Sequence, residues 1–165
     1  MSYIENLFGL NSKVAIVTGG TGVLGSAMCK SLAKAGASVV IVGRRKEAAD
    51  QLAKEIIRTG GNAFGVSADV LNKEQLTSAK NIILDKVGKI DILINGAGGN
   101  LPGAVVTPDK TIFDLNIDDF KSVVDLNLTG SLLPTQIFGE ALVANKQGVI
   151  INISSMTAIR PLTRV

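Results

Sequence analysis

Lys13 to Gly25 read KVAIVTGGTGVLG. Four apolar residues, Val14, Ala15, Ile16 and Val17, run into the small residues Thr18-Gly19-Gly20-Thr21-Gly22, and a helical pattern opens at Val23. Gly20, Gly22 and Gly25 satisfy G-x-G-x-x-G with a strand before and a helix after, the context in which that spacing holds a dinucleotide. Glycines at such a turn leave no Cβ between the chain and a ligand. The helix N-terminus directs unpaired N–H groups and a partial positive charge at whatever lies above it, which suits a pyrophosphate. The plainer alternative is a glycine-rich turn that binds nothing, so the rest of the chain has to decide.

Outward from this stretch, apolar runs and helical patterns alternate. Strands are expected at 13–18, 38–42, 63–67, 90–94 and 149–153, and helices at 23–35, 46–59, 73–87 and from Ile117-Asp118 to Ala144. The run Val39-Val40-Ile41-Val42 has no polar alternation, as for a strand buried on both faces. Gly36 is placed to cap the first of these helices and Gly60-Gly61 to stop the second. In the first helix Cys29 falls beside a face of Leu24, Met28, Ser31, Leu32 and Ala35. In the second, Ala49, Leu52, Ala53, Ile56 and Ile57 share a side. Asp118 is placed to cap the last helix. The loop 100–114 has no periodicity and is long enough to suggest function. Alternating strands and long helices specify an α/β fold, a doubly wound parallel sheet (Rossmann fold) with five strands, here a single domain over 1–165.

Composition excludes several classes. Of 165 residues, 46% are apolar and 19% charged, the balance of a soluble globular protein. The net charge of +3 is spread among interleaved acids and bases, and only Arg44-Arg45-Lys46 forms a basic cluster. A nucleic-acid surface is therefore not expected. Cys29 is the single cysteine and reads as a small packing residue; no disulfide can form within the chain. With no histidine, the commonest metal ligand and every histidine mechanism are removed, and no metal site is expected. No apolar run approaches the ~20 residues that span a membrane, and the first residues do not form a signal peptide; a cytoplasmic protein without membrane contact is expected.

In a parallel sheet of this kind ligands bind beyond the carboxyl ends of the strands, where the strand order reverses. Those ends are Gly19–Gly25, Gly43-Arg44-Arg45, Asp69-Val70, Asn95–Gly98 and Ser154-Ser155, all polar or glycine where the strand bodies are apolar. Gly19, Thr21, Gly22, Val23 and Leu24 are the candidates at the phosphates. An acid closing the second strand would bond a ribose 2′-OH; Gly43 stands there instead, and the Arg44 fork matches a 2′-phosphate. That favours NADP; if Arg44 only stacks on adenine, NAD fits equally. Asp69 either accepts from the adenine amino group or caps the next helix, and the two roles are compatible.

These residues resemble the short-chain dehydrogenase/reductase family along the whole chain. TGGTGVLG is similar to its coenzyme loop, Asp69-Val70 to its adenine contact, and Asn95-Gly96-Ala97-Gly98 to its N-x-A-G motif. Asn127-Leu128-Thr129-Gly130 resembles its helix-borne asparagine motif, and VIINISS (149–155) the strand carrying its catalytic serine. The resemblance implies coenzyme contacts at Asn95, Ala97 and Gly98. It also implies a substrate-orienting role for Ser155, and an Asn127 that kinks its helix and holds a water in a proton relay.

Two departures stand out. The family's common form is T-G-x-x-x-G-x-G; here Gly22 comes one place early, Val23 stands at the glycine position, and the basic residue of many NADP-preferring members is absent. The family's tyrosine, with a lysine four residues on, is expected about a dozen residues beyond Ser155, whereas the chain stops at Val165 and Tyr3 cannot replace it. The expectation is a retained part of a longer polypeptide, with two further strands, that is inactive alone.

The segment 155–164, with NGAGGN and LLPTQIF, is similar to the D-mannonate oxidoreductase (fructuronate reductase) members; Arg160 or Arg164 either pairs with a sugar-acid carboxylate or both are solvated loop arginines. Hydride transfer between NAD(P) and a secondary alcohol or ketone is thus implied, with a homodimer or homotetramer formed through the Asp118–Ala144 helix and the helix expected to follow Ser155. The competing reading is a non-catalytic nucleotide-binding module of the same fold.

Overall fold

The computed structural model describes residues 3–156 and 159, with the backbone alone for residues 4–6. A short helix α1 (Tyr3–Phe8) precedes β1 (Val14–Thr18), α2 (Val23–Lys34), β2 (Ser38–Gly43), α3 (Lys46–Arg58) and β3 (Asn62–Ser67). Then come α4 (Lys73–Val87), β4 (Ile92–Asn95), α5 (Ile117–Val124), a π-helical turn (Asp125–Thr129), α6 (Gly130–Ala144) and β5 (Val149–Asn152). The five strands form one parallel sheet in the order β3-β2-β1-β4-β5. The chain thus moves outward from β1 in one direction, then returns to β4 on its other side. The crossover between β1 and β4 opens a crevice at the strand ends, as the doubly wound fold requires.

Alternation along each strand sends side chains to two cores. Val14, Ile16, Val40, Val42 and Val66 meet α4 and α6 through Leu76, Ala79, Ile83, Ile137, Phe138 and Leu142. Ala15, Val17, Val39 and Ile41 meet α2 and α3 through Cys29, Ala33, Ala49, Leu52, Ala53 and Ile56. Val39 to Val42 are fully buried, as their unbroken apolar run implies.

The helices correct the sequence reading at several points. The buried face of α2 is Gly25, Cys29 and Ala33, and Leu24 is exposed. Small residues at i, i+4 and i+8 let this helix approach the sheet more closely than a leucine stripe would. Ile57 on α3 is also exposed. Asn116, not Asp118, caps α5, its side chain accepting from the Asp118 and Asp119 N–H groups at 2.9 and 3.0 Å. The expected continuous helix to Ala144 is broken by the π-turn at Asp125–Thr129, with Asn127 at its centre, where the resemblance implied a kink. The 100–114 loop is partly ordered into two short 3₁₀ turns, Pro102–Ala104 and Ile112–Asp114. Among the described residues no helix is long and apolar enough to cross a membrane.

Candidate functional site

The turn after β1 is built by close backbone approach. Gly19 has φ +64°, and a Cβ there would lie 2.6 Å from the Gly96 carbonyl oxygen. A Cβ on Gly25 would lie 2.2 Å from the Gly19 carbonyl oxygen, so only glycine lets α2 begin directly on the turn. Gly22 is the N-cap of α2 and offers no side-chain cap, leaving first-turn N–H groups available to a ligand.

Across the crossover, Thr18 fixes the opposite wall. Its hydroxyl accepts from the Gly96 and Ala97 N–H groups at 3.2 and 3.3 Å and lies 3.4 Å from the Ile94 carbonyl oxygen. Asn127 clamps the next residues. Its Oδ1 accepts from the Gly99 N–H at 3.2 Å, and its Nδ2 donates to the Gly99 and Val123 carbonyls at 2.7 and 2.8 Å. A Cβ on Gly98 would lie 2.7 Å from Asn127 Oδ1, so the clamp closes only over glycine.

Between these walls lies a groove of about 730 Å³, room enough for a dinucleotide. The structure brings Gly19, Thr21, Gly22, Val23, Leu24, Arg44, Asp69, Val70, Ala97 and Gly98 to its lining. Gly43 lies there too, and a Cβ on it would meet Thr21 Oγ1 at 3.2 Å.

Three expected site residues stand elsewhere. The Asn95 side chain is 1% exposed, turned away from the groove, with Nδ2 on Thr135 Oγ1 and Asn152 Oδ1 at 2.9 and 2.8 Å. Asn95 therefore stands behind the lining, with its amide tied to α6 and β5. Asn127 and Ser155 are exposed but outside the lining: Asn127 spends its amide on the loop clamp, and Ser155 follows β5, one strand further out. Asp69 does not cap α4. Its Oδ1 accepts from the Leu71 N–H at 2.9 Å, and Asn72 takes the cap by accepting from the Gln75 N–H at 2.9 Å. Arg160 and Arg164 lie outside the described residues.

Sequence reasoning passed over Thr18, whose signal was a polar residue closing an otherwise apolar strand. It also passed over Leu101, Ser122 and Leu126, which complete the groove from the loop and the α5 flank. Those residues carry no local signal, because only the packing of α5 against the Pro102–Ala104 turn brings them together. Burial pushes the Cys29 thiol up to about 12, consistent with packing and not reactivity. No group of three or more metal-ligating side chains forms among the described residues.

Comparison with known proteins gives a consistent result. The family described as short chain dehydrogenase matches residues 13–165. An uncharacterized oxidoreductase of Bacillus subtilis, UxuB, is 43% identical over 169 residues, covering 98% of this chain and 60% of that protein. The crystal structure of a candidate D-mannonate oxidoreductase from Haemophilus influenzae with bound NAD is 41% identical, with a TM-score of 0.91 over 98% of this chain and 61% of that one. A metagenomic short-chain oxidoreductase in complex with NADP is 29% identical, with a TM-score of 0.81 over 93% of this chain and 66% of that one. The chain spans about three fifths of the length of the first two.

Proposed function

The chain belongs to the short chain dehydrogenase family, and on that premise we propose that it binds a nicotinamide dinucleotide for hydride transfer between that coenzyme and a secondary alcohol or its ketone. The observation that carries this is the groove at the β1/β4 crossover, in whose lining Gly19 and Gly25 leave no room for a Cβ. When bound, the coenzyme supplies the redox chemistry, and the chain holds and orients it. Gly19, Thr21 and Gly22 line the pyrophosphate from the turn, and Val23 and Leu24 offer it first-turn N–H groups of α2. Asp69 and Val70 flank the adenine, while Ala97 and Gly98 wall the opposite side. Ser155 orients the substrate carbonyl, and the Asn127 turn supports a water for proton transfer.

Arg44 beside the side-chain-free Gly43 favours NADP, since a guanidinium fork pairs with a 2′-phosphate and no acid closes β2. NAD is the second reading, supported by the Haemophilus relative that holds it. The substrate proposed is a sugar acid of the D-mannonate or D-fructuronate kind, supported by the name of that same relative. The exposed apolar stripe Ile117, Phe120, Val124 and Leu128 supports self-association through α5.

Titration of the intact protein with NADP and NAD, followed by turnover with mannonate and fructuronate, tests the reading. Saturable coenzyme binding with turnover is expected. Turnover only on other alcohols removes the sugar acid, and failure to bind either coenzyme removes the whole proposal. Arg44→Ala is expected to weaken NADP by about tenfold and NAD by much less. An equal loss for both would show that Arg44 does not read the 2′-phosphate.

A further inference from the structure

The loop after β4 brings to the groove a polar group that coenzyme binding leaves unused. Among the described residues the lining has five polar side chains, Thr21, Arg44, Asp69, Asn100 and Ser122. The first three serve the coenzyme in the reading above, and the Ser122 hydroxyl donates to the Asp118 carbonyl at 2.8 Å. That leaves Asn100. Its Oδ1 accepts from the Leu101 N–H at 2.9 Å, while its Nδ2 makes no hydrogen bond among the described residues. An exposed amide nitrogen in a groove wall offers two donors to a ligand.

Sheet order says which part of a ligand those donors meet. Arg44 follows β2 and Asp69 follows β3, so the adenosine end of the groove lies on one side of β1. Asn100 leaves the tip of β4 on the other side, next to β5, whose end leads to Ser155. Asn100 therefore stands at the substrate end.

The backbone around Asn100 is anchored on both sides. Before it, Gly99 is held by both ends of the Asn127 amide, at 3.2 and 2.7 Å. After it, the Leu101 carbonyl accepts from the Ala104 N–H at 2.9 Å, and the Gly103 carbonyl accepts from the Asn116 N–H at 2.8 Å. A donor held in this way loses little freedom when a ligand arrives, which is the condition for selective recognition.

We propose that Asn100 is a specificity-determining residue whose Nδ2 donates to an acceptor oxygen, hydroxyl or carboxylate, of a polyhydroxy acid substrate. The assignment rests on the hydride-transfer reading above and gives Asn100 no contact with the coenzyme.

The test uses the intact protein with mannonate and fructuronate. Asn100→Asp keeps the acceptor for the Leu101 N–H and replaces the donors with a carboxylate oxygen, whereas Asn100→Ala removes both. KM is expected to rise about tenfold with Ala and about thirtyfold with Asp, while the coenzyme Kd stays within about twofold for each. A purely structural role predicts the reverse order, since Asp preserves the contact to Leu101 that Ala loses. An Asp variant with unchanged KM would overturn the proposal, as would a coenzyme Kd rising in step with KM.

If the unsubstituted protein turns over another alcohol but neither sugar acid, the sugar-acid reading fails. The Ala variant's KM on that alcohol then decides, an unchanged value overturning the proposal. If it turns over nothing, the hydride-transfer reading fails, and calorimetry of mannonate against the coenzyme-loaded protein decides. Binding weakened by Asp supports the role of Asn100; binding unchanged by Asp, or no binding to the unsubstituted protein, overturns it.

Discussion

Strands β1 and β5 use the same apolar alphabet, VAIVT and VIIN, and meet opposite fates. Every residue of β1 is buried, with a strand on each side and helices over both faces. Among the described residues every residue of β5 is exposed, with Val149 at 53% and Ile151 at 44%, and its strand neighbour there is β4. An apolar run thus identifies a strand, but the neighbours decide whether its burial stabilises anything. The groove shares this contrast: its glycine wall sits on the buried centre of the sheet, while Ser155 follows β5, the outermost strand among the described residues.

The largest expected effect pits the two strands directly. Ile16→Ala empties a fully buried site and is expected to cost about 2–5 kcal/mol. Within the 165-residue chain, Ile150→Ala, on a 39% exposed residue, is expected to cost about 1 kcal/mol or less. Denaturant unfolding measures both, and similar losses would break the comparison.

Next comes the glycine wall. Gly25→Ala places a methyl against the Gly19 carbonyl and is expected to cost roughly 1–3 kcal/mol. Its coenzyme affinity should fall with it, which titration calorimetry would record. Thr18→Val tests the opposite wall. Losing the acceptor for the Gly96 and Ala97 N–H groups is expected to cost about 1–2 kcal/mol and weaken coenzyme binding less than Gly25→Ala does.

At the far end of β1, Asp91 ties β1 to β4 by accepting the Val14 N–H at 2.8 Å beside Lys89 at 3.0 Å and Lys13 at 3.7 Å. Burial works to raise its pKa, but the Val14 and Lys89 hydrogen bonds and the two lysine charges outweigh it and hold the carboxyl below its ordinary value. With a folded pKa below the unfolded one, the stabilisation is present above about pH 4 and is lost as pH falls through the lowered value. Asp91→Asn should flatten that acid limb in pH-dependent unfolding. The smallest effect concerns Cys29: buried and with its pKa raised to about 12, it should resist thiol reagents at neutral pH until the protein unfolds.

Much was legible from residue order alone, because local chemistry determines it. The five strands, the helix from Lys73 to Val87, the glycine turn and most of the groove lining follow from periodicity, glycine placement and the rule that ligands sit at strand ends. Other features needed the fold. The choice of Asn116 over Asp118 as cap, and of Asn72 over Asp69, depends on which of several neighbouring acceptors the backbone reaches. That Gly25, Cys29 and Ala33 are the buried stripe of α2 depends on how near the helix lies to the sheet.

Asn95 marks the boundary most sharply. Its place at a strand tip was readable from the chain. Whether its amide faces the groove or the interior depended on Thr135 and Asn152, residues 40 and 57 positions away that only tertiary packing brings within hydrogen-bond reach.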